Sequence, residues 1–343
     1  MTNYHYVGLD VHKKVIAYCV KRADGRIVKE GTVAATRDAL ASWSKQLPRP
    51  WLGAMEATLF TGWIYDFLRP RAQELKVGHP YMLKAICAAK KKNDRVDARK
   101  LADALRCDLL PECYMAPAEL RELRRVLRYR NLLVRESVRF KNKTAGLLME
   151  TGAEYNKKKL FGKQYFAELL ATVEDVPDSV IELLRLTRSA QEVFDQNQGR
   201  LLRELREHPI LAERVRRLMT IPGVGEVTAL TWALEIGEPE RFGSVKRAVS
   251  YCGLCSAQNE SAGKSHRGPL SKQRNQHLQS VLIESAKLAP RWNEQLARAH
   301  AQALAAGADP NRATLMVARK LVGYLLAVDK SGRDFEPRPV DTH

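Results

Sequence analysis

Four carboxylates stand where they could share metal ions. Asp10 closes the apolar run YVGLD, Glu56 closes the run WLGAME, and Asp94 and Asp97 lie three residues apart in KKNDRVDARKLADAL. A spacing of three puts the last two on one face of a helix. Carboxylate oxygens suit Mg2+, and four of them would hold two ions roughly 4 Å apart, clamping both sides of an in-line phosphoryl transfer. Taken singly, each acid has a structural use instead. Asp10 could close a turn, Asp94 could cap the helix that follows it, and Asp97 could sit in the acid-favouring first turn. As a set they favour metal binding, whereas a charge pair with Arg99 accounts for Asp103.

The elements around these acids alternate. Residues 6–10, 15–20 and 26–30 read as strands joined by hairpin turns, with Asp24-Gly25 tolerating positive φ. A helix over 34–47, a strand over 51–56 and a helix over 61–75 complete an α/β domain of about 110 residues. From 117 to 209 the pattern turns helical. Leu120, Leu123, Leu127, Val134, Val138, Ala145 and Leu148 form one apolar stripe; Ile181, Leu184, Ala190, Phe194, Leu201 and Leu205 form another beyond a break near Pro177. An antiparallel helical hairpin follows, which could pair with another subunit or pack only locally.

Of 343 residues, 57 are Lys or Arg and 39 are Asp or Glu, a net charge of +18 that makes a polyanion the natural partner. Residues 121–150 alone carry nine basic and three acidic side chains, net +6. Arg124, Arg128, Arg135, Lys141 and Lys143 are the phosphate-binding candidates there. Six cysteines suit a reducing cytosol; the Cys252/Cys255 pair has no second pair at zinc-site spacing and reads as buried small hydrophobes. The N-terminus lacks a signal peptide's apolar segment, and no uncharged apolar stretch of 18 residues appears, so nucleic acid is favoured over membrane.

Near the C-terminal third, IPGVG places Gly223 and Gly225 in a tight turn between helices, an arrangement resembling the helix-hairpin-helix DNA-binding module. Its bland alternative is a helix junction. Residues 244–280 then carry six Lys or Arg and one acid in a polar, glycine-rich loop before an apolar helix. Lys264, Arg267, Lys272 and Arg274 are phosphate candidates, and Ser261 is the hydroxyl of most interest, although loop serines are common turn residues.

Taken in order, GLDVHKK, MEATLFTG, KNDRVDARKLA, IPGVGEVTA, YCGL, ESAGKSHRG and LSKQRNQHLQ span most of the chain. This constellation resembles the DEDD-type insertion-sequence transposases, whose N-terminal domain is similar to the RuvC junction resolvase and whose C-terminal domain carries a serine. The resemblance implies an RNase H/RuvC-like α/β domain over 1–112, a helical coiled-coil-like connection and assembly region over 113–210, and a mostly helical transposase domain with a helix-hairpin-helix-like segment over 211–330. A flexible tail covers 331–343. It assigns Asp10, Glu56, Asp94 and Asp97 to catalysis with two Mg2+ ions, and Ser261 to nucleophilic attack. Because Ala262 separates Ser261 from Gly263, Ser265 stays open as the alternative. The implied enzyme is a recombinase that inserts and excises its mobile element through a covalent phosphoserine-DNA intermediate, in a prokaryotic cytoplasm at the nucleoid. Its implied partners are target and donor double-stranded DNA, an element-encoded bridge RNA, and copies of itself as homodimers assembling to homotetramers.

Three rival readings share parts of this pattern. A metal-dependent junction resolvase or nuclease using water would keep cleavage in Ser261→Ala and leave no protein-DNA adduct. A nucleic-acid-binding protein without catalysis would be indifferent to Asp10→Ala. An actin-like kinase fold would need further glycine-rich phosphate loops, which the sequence lacks.

Overall fold

A computed structural model describes residues 4–86, 93–174, 176–261 and 264–337, the side chains of 86, 257–261 and 264–267 excepted. The chain divides into two compact units, Met1–Ala118 and Glu119–His343. No helix among the described residues is long and apolar enough to cross a membrane.

In the first unit, β1 (His5–Val11), β2 (Val15–Lys21) and β3 (Ile27–Ala34) form an antiparallel meander. The chain then passes through α1 (Arg37–Lys45), β4 (Trp51–Glu56), α2 (Thr61–Leu68), β5 (Glu74–Gly78), α3 (Pro80–Ile86) and α4 (Asp94–Arg106). β4 joins β1 and β5 joins β4, both in parallel, so the sheet order is β3-β2-β1-β4-β5. This is the mixed sheet flanked by helices of the RNase H/RuvC type. The helix expected over 61–75 ends at Leu68: Arg69-Pro70-Arg71 tightens into one turn of 3-10 helix, and Glu74–Gly78 is a strand. Pro70 cannot donate to a continuing helix, which explains the stop.

The two faces of this sheet are built differently. Val7, Leu9 and Val11 alternate along β1 into a core with Ile16, Trp43, Trp51, Met55 and Ile64. The opposite face is made of small residues: Cys19, Gly8 and Ala54 lie side by side across β2, β1 and β4. Against it α4 presents the fully buried Ala98 and Ala102. The approach is so close that a methyl on Gly8 would penetrate the Ala98 carbonyl oxygen and lie 2.5 Å from the Ala102 nitrogen. Gly8→Ala is therefore expected to cost about 1–3 kcal/mol through overpacking. An unchanged midpoint in urea unfolding would show that α4 is not pressed onto β1.

Ion pairs fix the rest of α4. Arg99 grips Glu30 of β3 through two bonds of 2.7 Å, and the nearly buried Lys21 donates to Asp103 at 2.5 Å. Asp103 thus pairs with Lys21 and Arg106 (3.4 Å) instead of Arg99, because β2 and β3 bring partners that local sequence does not show. Asn93, whose side chain accepts from the Arg95 amide at 2.9 Å, caps the helix, so Asp94 is not spent on capping.

The second unit is mostly helical. α5 (Ala118–Glu150) and α7 (Asp178–Glu207) lie antiparallel, with α6 (Lys163–Thr172) between them in sequence. Ser137 donates to Asp195 at 2.7 Å, Thr144 and Thr187 are bonded at 3.1 Å, and Phe140 meets Phe194 at 5.6 Å between centroids. As residues advance along α5 their partners retreat along α7. The remainder comprises α8 (Pro209–Leu218), α9 (Glu226–Ile236), α10 (Val245–Tyr251), the hairpin β6 (Ser256–Ser261) and β7 (Lys264–Leu270), α11 (Gln276–Leu288), α12 (Glu294–Ala305) and α13 (Pro310–Ser331). α9 is buried from Thr228 to Ile236 and forms the centre of this core with Leu282, Leu321 and Leu325. The polar loop expected before α11 is largely this hairpin, with Glu260 opposite Ser265 and Ser261 opposite Lys264. At the other end, Arg216 holds Asp334 and the Phe335 amide donates to Thr220, so the first residues of the expected tail lie against α8.

Candidate metal centre and nucleic-acid interface

Asp10 and Glu56 occupy the carboxyl ends of adjacent parallel strands, the end at which open α/β sheets bind ligands. Leu9 pairs with Met55, so Asp10 and Glu56 stand at the next step of the same register. The small-residue face that admits α4 delivers its first turn to this edge. Asp94 and Asp97 both occupy that turn, and Lys100 stands 3.7 Å from Asp97. Glu56 also anchors the following turn, its backbone carbonyl accepting from the Thr61 hydroxyl at 2.9 Å.

The group whose ligand atoms meet comprises Asp10, Asp94 and His12, without Glu56 and Asp97, and His12 is a residue that the reading of acids alone passed over. His12 Nε2 lies 3.1 Å from Asp10 Oδ2 and 3.6 Å from Asp94 Oδ1. Ligand atoms of Asp10, His12 and Asp94 all fall within 4.8 Å of one another. The signal was in the sequence: Asp-x-His at a spacing of two places both side chains on one face of an extended chain. Asp10 is the most enclosed of the three, its side chain 13% exposed against 52% for His12 and 63% for Asp94. Burial pushes the Asp10 carboxyl above its ordinary range; His12 opposes that shift, and the charges of Asp94 and Asp97 reinforce it.

Two carboxylates and an imidazole form a donor set that fits a divalent cation. Adjacent ligand atoms around a six-coordinate ion with bonds of about 2.1 Å lie about 3 Å apart. The 3.1 Å edge between His12 and Asp10 matches that spacing. A cation would also offset the burial, and the smaller repulsion by Asp94 and Asp97, that raise Asp10.

The expected serine chemistry is corrected by this arrangement. The groups that converge are carboxylates and an imidazole on a RuvC-like sheet and helix. A metal-carboxylate centre of this kind activates an oxygen nucleophile that is not part of the protein, so a covalent phosphoserine-DNA intermediate is not required. A carboxylate-based DNA-acting enzyme replaces both the serine-nucleophile transposase and the serine-recombinase class. The side chains of Ser261, Ser265, Lys264 and Arg267 lie outside the described residues.

The remaining phosphate candidates fall into distinct environments. Arg128 makes two bonds of 2.8 Å to Glu235, and Arg124 donates to the Leu234 carbonyl at 2.9 Å, so both join α5 to α9. Lys141 lies 3.8 Å from Asp195 and over the Phe161 ring, and Lys143 lies 3.8 Å from Glu150. Lys272 and Arg274 are exposed, the latter donating to the Ser271 carbonyl at 3.1 Å. In the IPGVG turn Gly223 has φ +95, and a methyl there would lie 2.5 Å from the Ala289 Cβ, so this glycine serves a close packing contact. Gly225, by contrast, has open space before it and begins α9. It opens on a cleft of about 880 Å³ whose lining includes Arg135, His277 and Trp292. Burial lowers the His277 pKa, with nearby arginines adding to the effect, which favours a neutral hydrogen-bonding ring.

Comparison with known proteins places both halves of the chain. Residues 7–152 match a DEDD transposase model of the IS110 type, and residues 215–302 match the Transposase IS116/IS110/IS902 family. A probable family 20 transposase of Pseudomonas aeruginosa is 25% identical over 291 residues, covering 83% of this chain and 84% of the relative. The transposase for insertion sequence element IS1328 of Yersinia enterocolitica is 24% identical over 321 residues, 89% of this chain and 93% of the relative. The transposase for IS1111A of Coxiella burnetii is 26% identical over 206 residues, 57% and 54% of the two chains. The acidic sheet-and-helix region and the later helical region are thus each matched, in the same order, by transposase models of the IS110 type, and the chain is similar to these DEDD-type transposases along both regions, with an N-terminal RuvC-like domain.

Proposed function

We propose that this protein cleaves DNA during transposition at a divalent-metal centre, with Asp10, Glu56, Asp94 and Asp97 holding two Mg2+ ions. The observation that carries this reading is the meeting of Asp10, His12 and Asp94 ligand atoms within 4.8 Å at the carboxyl end of β1. When bound, the ions supply Lewis-acid stabilisation of charge on the phosphate and lower the pKa of an attacking oxygen. The protein's own part is positional. β1 and β4 hold two carboxylates rigidly, α4 brings two more, and the nearly enclosed Asp10 is kept from bulk water. In the reaction, an oxygen of water or of a DNA 3′-hydroxyl bonds to phosphorus, the phosphodiester P–O bond breaks, and the departing oxygen takes a proton.

The long basic helix supports phosphate binding: Arg125, Arg135 and Arg139 are exposed along α5. Target and donor duplexes and an element-encoded bridge RNA are the polyanions of this proposal, with base pairing carrying specificity while the protein reads backbone and shape. The antiparallel pair α5 and α7 is the proposed assembly element for homodimers and homotetramers.

Cleavage of supercoiled DNA carrying the element ends, in Mg2+, tests the reaction. Ser261→Ala is expected to keep cleavage within about tenfold of wild type, roughly 1.4 kcal/mol in the barrier. Denaturing gels of labelled DNA are expected to show no protein-bound product. Loss of cleavage in that variant, together with a wild-type adduct that maps to a serine, would overturn the proposal.

A further inference from the structure

We propose that His12 is itself a ligand of the metal centre and tilts it towards a first-row transition ion, Mn2+ over Mg2+. The proposal rests on reading Asp10 and Asp94 as metal carboxylates. His12 lies just beyond β1, two residues from Asp10, and its ring meets the Asp10 carboxylate on the same side of the chain. Its Nε2 approaches one oxygen from each carboxylate, at 3.1 and 3.6 Å. An imidazole that merely oriented one ligand would need to meet one carboxylate; this nitrogen faces the point that both share. The side chain is half exposed, so its position is not imposed by burial in a core.

The consequence is selectivity. Mg2+ takes oxygen ligands at near-ideal octahedral geometry and keeps several waters, so replacing one oxygen by an imidazole nitrogen weakens its advantage. Imidazole is a better donor to first-row transition ions, and selection among divalent ions follows ligand type and geometry. His12 thereby lets the same carboxylates accept Mn2+ more tightly than an all-oxygen set would.

Binding of Mn2+ to the full-length protein, followed by pulsed electron paramagnetic resonance without DNA, tests this directly. Wild type is expected to show nitrogen-14 coupling to bound Mn2+, and competition with Mg2+ is expected to favour Mn2+. His12→Ala should abolish the coupling and lower the Mn2+/Mg2+ preference on the order of tenfold. His12→Gln, which offers an oxygen of similar reach, should keep Mn2+ bound without nitrogen coupling. Asp10-dependent Mn2+ binding with no nitrogen-14 coupling in wild type would overturn the role of His12 and leave the carboxylate centre standing. An unchanged ion preference in His12→Ala would do the same. Mn2+ binding that is indifferent to Asp10→Asn would overturn the metal reading and the His12 proposal together.

Discussion

Replacing Asp10 by Asn is expected to slow DNA cleavage by about 10³-fold or more, because loss of a central metal carboxylate forfeits several kcal/mol of transition-state stabilisation. The same replacement is expected to leave the metal-free protein at least as stable as wild type. Asp10 is enclosed at the end of β1, and its carboxyl titrates above the usual range because burial disfavours its charge and Asp94 and Asp97 repel it. Asn keeps the shape, removes the charge and retains a polar atom towards His12. Stability and activity therefore move in opposite directions, as they do where a site is arranged for a ligand.

The sign with pH follows. A carboxyl whose folded pKa exceeds its unfolded value binds more protons when folded, so stability falls as pH rises from about 3.8 through the raised pKa. Above the raised pKa the charging penalty is fully present without metal, and a bound cation offsets it. Cleavage, which needs the ionised form with the cation bound, should fall as pH drops and protons compete with the metal for Asp10. Single-turnover cleavage and thermal unfolding in chelator give both readouts. Asp10→Asn with cleavage within tenfold of wild type, or with a melting point several degrees lower in chelator, would exclude Asp10 from this role.

Much of this centre was legible because strand ends and helix turns have fixed periods. Asp10 and Glu56 each close an apolar run, and two acids three apart declare a helical face. His12 was missed because VHKK reads as a turn between hairpin strands, which hides its spacing of two from Asp10. β5 was missed for a related reason: LKVG is too short to announce a strand once a helical pattern has begun, and only Pro70 interrupts it. Charge counting along α5 fared differently. It found a basic helix but could not tell a guanidinium free for phosphate from one bound to a carboxylate 107 residues away, as Arg128 is.

That carboxylate, Glu235, sets the largest expected stability effect: Glu235→Ala should cost about 3–5 kcal/mol. Its side chain is 1% exposed and lies in the last turn of α9, where the helix dipole adds to the cost of a negative charge. Burial raises its pKa, but the paired bonds from Arg128, the Asn275 amide at 2.8 Å and the nearby Arg124 more than compensate, leaving it below the ordinary range. Glu235 is thus ionised at neutral pH. Its contribution is present above about 4.5 and is lost as pH falls through the depressed folded value. Removing it takes both acceptors from Arg128, removes the counter-charge beside Arg124, whose side chain is only 16% exposed, and releases Asn275, the cap of α11, from α9. At about 2–4 °C per kcal/mol for a unit of this size, the melting point should drop by roughly 10 °C. Breaking a buried pair is worse than deleting it whole, so Glu235→Leu combined with Arg128→Met should recover part of the loss. A loss below about 1 kcal/mol in Glu235→Ala would mean that α5 is held to α9 by apolar packing alone, with Arg128 free for nucleic acid after all.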